Sequence, residues 1–131
     1  MKFRTWIVLS ALFFLTGFVF RKKSIPRLGI VASLEQDSLV YASGFRMLGE
    51  SVGRMLSPSL TEAQFQQNLV RIKKAKCKVL LCNIFFPGSI KIAGPAVDET
   101  RVLSYADTVL SRAKEAGLKF IILGSGGARR I

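Results

Sequence analysis

Apolar residues follow two rhythms along this chain. Short apolar runs occupy residues 28–33, 78–86 and 119–123, with a less apolar one at 46–51 that ends in Glu50-Ser51, each bounded by glycine, proline or polar residues. Runs of that length, without alternation, suit strands of a parallel sheet covered on both faces. Between them the apolar positions recur every three or four residues, the spacing of a helix with one buried side. A short helix is predicted over 36–43, closed by Gly44. A second opens at Thr61, where Thr-x-x-Gln with Gln64 makes a capping box, and runs to about Ala75. Phe65, Leu69 and Ile72 form its inward face, and Arg71, Lys73, Lys74 and Lys76 complement the dipole at its end. A third starts after Asp98 as N-cap and ends at Gly117, with Val102, Ala106, Val109, Ala113 and Ala116 on one stripe widened by Leu103 and Leu110. Residues 52–59 and 89–97 are predicted loops.

The order β-α-β-α-β-α-β with short connections implies an α/β fold with a parallel sheet and right-handed crossovers. An open doubly wound sheet and a (β/α)8 barrel both satisfy it. In either, ligands gather at the C-terminal strand ends. That places Ser33, Glu35, Glu50, Ser51, Asn83 and the loop Gly124-Ser125-Gly126 around one end. In this loop the glycines permit a tight turn and close backbone approach to a ligand. Arg129 and Arg130 stand beside it, which suits an anionic or polyhydroxyl ligand. A plain strand-to-helix turn with solvated arginines reads the same residues equally well.

A different pattern precedes the domain. Residues 6–20 are almost wholly apolar, with Lys2 and Arg4 before them and Arg21, Lys22 and Lys23 after. Residues 1–24 are read as an uncleaved signal-anchor or a cleaved signal peptide, implying a membrane-anchored or exported protein. A buried helix of the domain is the third reading. Cations balanced on both sides leave orientation open.

Charge changes the picture little. The formal net charge is +12, from 20 Lys+Arg against 8 Asp+Glu. The first 27 residues carry six of the cations and none of the acids, leaving fourteen against eight, or +6, for the rest. Half of the excess belongs to the leader, so no nucleic-acid partner is inferred. Histidine is absent, which removes the commonest general base and transition-metal ligand. Cys77 and Cys82, read on one strand, lie about 16 Å apart at roughly 3.3 Å per residue and on opposite faces, too far for a disulfide. They are expected to be free thiols packed as small hydrophobes.

Four short stretches carry a resemblance. They are Glu50-Ser-Val-Gly-Arg54 after the second strand, Cys82-Asn83 with Phe86-Pro-Gly88 after the third, Lys91-Ile-Ala-Gly-Pro95 before the third helix, and Gly124-Ser-Gly-Gly-Ala-Arg129 after the fourth. In that order on those elements, residues 28–131 resemble the sugar phosphate isomerase/epimerase family with a xylose-isomerase-like TIM barrel. The resemblance implies a divalent metal in the complete barrel, proton transfer between carboxylates, and a sugar, sugar-phosphate or polyol substrate. It implies substrate contact for Glu50, Asn83, Gly124, Ser125, Gly126 and Arg129. The family's metal ligands and paired glutamates come from strands five to eight, so no catalytic or metal residue is carried over.

A (β/α)8 domain takes about 250 residues. The expectation is therefore a chain that supplies the first four βα units, inactive by itself. It would be a partial barrel lacking its other half, or a non-catalytic sugar- or anion-binding half barrel that self-associates.

Overall fold

The computed structural model describes residues 28–131. The predicted leader lies outside the described residues. Four strands form one sheet: β1 (Gly29–Val31), β2 (Met47–Ser51), β3 (Lys78–Asn83) and β4 (Phe120–Ile121). They neighbour one another in chain order and pair parallel throughout. A single 3-10 turn at Leu34–Gln36 leads into α1 (Asp37–Ala42). The helices α2 (Val52–Met55), α3 (Glu62–Lys74) and α4 (Glu99–Glu115) follow. The α/β class and the alternation are as the sequence predicts.

Strand order without reversal has a direct consequence. Right-handed crossovers taken always in the same direction place every connecting helix on the same side. Val40 of α1, Phe65 and Leu69 of α3, and Tyr105, Val109 and Ala113 of α4 close one core with Leu48, Val79 and Cys82 of the sheet. The sheet is singly wound, and the doubly wound alternative is set aside.

The other face is apolar too. Side chains alternate across a strand, and the register places Gly29, Val31, Met47, Gly49, Leu81 and Phe120 together. A Cβ on Gly49 would overlap Leu81 and meet Val31 at 3.3 Å, as residues of one face do. These six line an open groove of ≈ 300 Å³. Val31 remains 49% exposed and Phe120 64%, so among the described residues nothing covers this side. A bulge between Leu48 and Gly49, which pair with Val79 and Leu81, keeps the two faces in step across β2 and β3.

Several boundaries differ from the sequence reading. The third strand ends at Asn83, three residues early, because Ile84 takes φ 54° and turns the chain out of the ladder. The predicted loop at 52–59 begins as the helix α2. Val52, Met55 and Leu56 recur at helical spacing and are fully buried or nearly so, which overrides the breaking signals of Gly53 and Pro58. On α4 the stripe is narrower than expected and includes Tyr105. Leu103 and Leu110 are exposed at 69% and 53%.

The caps are as predicted. Gln64 N–H donates to Thr61 Oγ1 at 3.3 Å, and Thr61 N–H donates to Gln64 Oε1 at 2.8 Å. Arg101 N–H donates to Asp98 Oδ1 at 3.0 Å.

Asp37, at the start of α1, ties two units together. Its carboxylate accepts from the Lys76 N–H at 2.7 Å and the Cys77 N–H at 2.8 Å, just before β3. Burial opposes its charge, but these amides and the Lys76 ammonium prevail and hold its pKa below the ordinary 3.8. A depressed folded pKa contributes stability that is present above the unfolded value and lost as pH falls through the folded one. Asp37→Asn should therefore lower the urea midpoint at pH 7. The gap to the native chain should narrow as pH drops below 3.8. Denaturant titrations at pH 7 and at stepped acidic pH check both statements.

Candidate functional site

Of the six sequence-predicted residues, Glu50 and Asn83 lie in the C-terminal ends of β2 and β3, and Gly124, Ser125, Gly126 and Arg129 follow β4; strand parity separates the first two. Ser51 and Asn83 are register partners and share the face of Gly49 and Leu81. They stand at the rim of the uncovered side. Glu50 pairs with Cys82 one step earlier and so belongs to the helix-covered side.

Glu50 is 6% exposed, and its oxygens serve the backbone. Leu34 N–H donates to Oε2 at 2.9 Å and Ser51 N–H donates to Oε1 at 2.8 Å. Leu34 starts the turn after β1, so this carboxylate fastens the β1 exit to the β2 exit. Its position supports backbone bracing more directly than substrate contact. The apolar residues around it gave no hint of this, since only the tertiary register brings Leu34 N–H to Glu50.

Asn83 is different. Its Oδ1 is buried with no hydrogen-bond partner among the described residues. An unmet buried acceptor typically costs about 1–3 kcal/mol. The next residue, Ile84, carries φ 54°, a conformation that a β-branched residue adopts only under constraint. Orphaned polarity and backbone strain sit side by side at the end of the central strand β3.

The glycine loop adjoins that point. Gly124 has φ 43°, and a Cβ on it would lie 3.5 Å from the Ile84 nitrogen. Gly124 is thus the position in the loop that needs the left-handed region. Gly126 has open space around its Cα. Gly127 packs on the segment after β3, where a Cβ would approach Gly88 Cα to 3.2 Å.

Ser125 is 1% exposed. Its hydroxyl accepts from Phe86 N–H at 2.8 Å and donates to Leu123 O. The amides of Gly126, Ala128 and Arg129 donate to carbonyls within the same loop. Lys91 Nζ donates to Gly127 O and Arg130 O, both at 3.2 Å. The loop is consequently a braced turn, with those amides engaged internally. Arg129 is exposed and forms no ion pair with a carboxylate among the described residues.

Two further polar residues stand at this end: Ser51, which the strand order already places there, and Arg54. Ser51 is recoverable from strand period alone, since it lies two residues beyond Gly49. Arg54 Nη1 donates to Ser33 Oγ at 3.0 Å, a link across 21 residues that no local pattern announces.

The donor set does not fit a metal. Glu50 is occupied by two amides, and Glu35 lies 3.6 Å from the Arg71 guanidinium. No three His, Cys, Asp or Glu residues converge among the described residues. Both cysteines are free and buried. Burial, then the Glu50 carboxylate, pushes the Cys82 thiol up to about 12 against an opposing backbone amide. Burial, followed by the Asp37 hydrogen bond and charge, also raises Cys77, with Arg46 opposing. Neither forms the thiolate that nucleophilic or ligand chemistry requires.

Two outcomes are expected. Glu50→Gln replaces one accepting oxygen with an NH₂ group facing an N–H donor, and should destabilise the fold by about 1–3 kcal/mol in chemical denaturation. Native Cys77 and Cys82 should resist a thiol-reactive disulfide reagent at pH 8 and react promptly once the chain is unfolded in urea. Set against known protein families, curated proteins and solved structures, the chain matches none.

Proposed function

We propose that residues 28–131 form one wall of a (β/α)8 barrel of the sugar isomerase/epimerase kind, with Ser51, Asn83 and the Gly124 turn at its mouth. The observation that supports this most is the unmet Asn83 Oδ1 at the C-terminal rim of an apolar, uncovered sheet face. In a barrel that face is the interior, and inward-pointing residues at the strand ends meet the ligand. A hydroxyl of a sugar or polyol would supply the missing donor once the Asn83 amide, whose Oδ1 is shielded from solvent, turns toward the open side.

In this reading the wall binds and orients, and the reacting groups lie elsewhere. The acid/base carboxylates and the divalent metal expected of such enzymes have no matching donor set among the described residues. No catalytic step is therefore assigned to these side chains. Residues 6–20 would hold the domain at a membrane or direct its export. No helix among the described residues is long and apolar enough to cross one.

A second reading is a sugar- or anion-binding half barrel without catalysis, whose open face is covered by a second copy. It is favoured by the same lack of converging acids. Both open edge strands are parallel, so two copies could continue the pairing as a closed set.

The Asn83→Leu variant tests the ligand-binding claim. Removing an unsatisfied amide for an apolar group of similar size should raise stability by about 1 kcal/mol. Affinity for the sugar that binds best, measured by calorimetry over pentoses, hexoses and their phosphates, should fall about tenfold. Unchanged affinity in the variant, or no binding by the native chain across the panel, would falsify the mouth assignment.

A further inference from the structure

A second concavity shares no lining residue with the Asn83 rim. It lies between the segment after β2, the segment after β3 and the N-terminal half of α4, with a volume of ≈ 540 Å³. Small-molecule sites typically occupy about 300–1,000 Å³. Its floor is apolar, from Pro58, Pro87 and the buried Ile90. Around that floor three separate stretches bring hydroxyls: Ser57 and Ser59, then Ser89, then Ser104, Tyr105 and Thr108.

The first stretch is braced from behind. Arg112 donates to Ser57 O and, at 3.2 Å, to Leu60 O, with its guanidinium 4.8 Å from the Phe65 ring centroid. Asn68 Nδ2 donates to Arg54 O at 2.9 Å and Met55 O at 3.3 Å. The Ser57 and Ser59 hydroxyls share a hydrogen bond of 2.8 Å. This interior bracing fixes the hydroxyls in space before any ligand arrives, which lowers the ordering cost of binding.

On the opposite wall Tyr105 is buried. The Tyr105 ring sits 5.6 Å from Phe86, and burial raises its phenol, opposed by the Ser57 hydroxyl, so it remains a donor. Arg101 stands on the same helix, one turn earlier. Its guanidinium forms no ion pair with a carboxylate among the described residues.

An apolar floor suits the C–H face of a sugar ring, the hydroxyl rows suit its O–H groups, and an unpaired guanidinium suits a phosphate or carboxylate. We propose that this groove binds a small polyhydroxylated molecule bearing one anionic group, with the anion on Arg101 and the hydroxyls along Ser59, Ser89 and Ser104. The proposal is independent of the mouth at Asn83.

The test titrates the full ¹⁵N-labelled chain with ribose 5-phosphate, ribose and inorganic phosphate in turn. Ribose 5-phosphate should shift the amides of Gly53, Ser59, Ser89 and Ser104, and bind about tenfold tighter than ribose. Arg101→Ala should abolish that preference. Ser104→Val should weaken ribose 5-phosphate and ribose while leaving inorganic phosphate unchanged. Both substitutions are at exposed helix positions, and an unaltered amide spectrum shows that the fold survives.

The proposal is overturned if none of those four amides moves. It is also overturned if inorganic phosphate binds as tightly as ribose 5-phosphate, or if Arg101→Ala keeps the preference. Shifts confined to Ser51 and Asn83 would reject the groove and support the mouth. Shifts confined to the groove would support the groove and leave the mouth to its own test at Asn83.

Discussion

Four parallel strands in unbroken chain order constrain everything else in this molecule. Each crossover turns the same way, so α1, α3 and α4 cover the same side of the sheet. The core is built there, from Leu48, Val52, Phe65, Cys82 and Val109 among others. The same constraint leaves Val31, Leu81 and Phe120 on a side that no layer covers among the described residues. The sheet is thus apolar on both sides, and among the described residues one side alone is covered.

That two-sidedness also divides the polar residues at the strand ends. Glu50 and Ser51 are adjacent in sequence and serve opposite sides. Glu50 turns toward the helices and accepts two backbone amides, which locks the exits of β1 and β2 together. Ser51 and Asn83 stand on the open side. Ser125 and Lys91 do for the exits of β3 and β4 what Glu50 does for the first pair. The hydroxyl links Phe86 to Leu123, and the ammonium links the segment after β3 to the last turn. The strand ends are therefore cross-linked by hydrogen bonds. Among the described residues Asn83 Oδ1 remains as an unmet acceptor, with the strained Ile84 beside it.

Much of the architecture was readable from local pattern. Capping chemistry fixed the starts of α3 and α4, because Thr61 and Asp98 act on amides three residues away. Apolar runs located all four strands. The failures have one source. Val52, Met55 and Leu56 look like part of a loop until the core they fill is known. Leu103 and Leu110 look buried until the side of α4 facing Val109's neighbours is known. Ile84 continues an apolar run in sequence, yet its backbone leaves the sheet beside Gly124. In each case the outcome turns on which residues reach the core, and a local signal does not fix that.

The candidate site divides along the same line. Sequence alone determined the α/β class, the strand order as a list of elements, the absence of histidine and the cluster of small and polar residues at the strand ends. Short-range periodicity and capping act within a few residues, so a linear reading suffices for them. Only the tertiary structure decided that the sheet is singly wound, that Glu50 and Asn83 face opposite ways, and that Ser125 is a brace. It alone also brought Ser57, Ser89 and Ser104 to one groove. Those outcomes depend on strand register and crossover direction, which join residues dozens of positions apart and leave no trace in any single stretch of the chain.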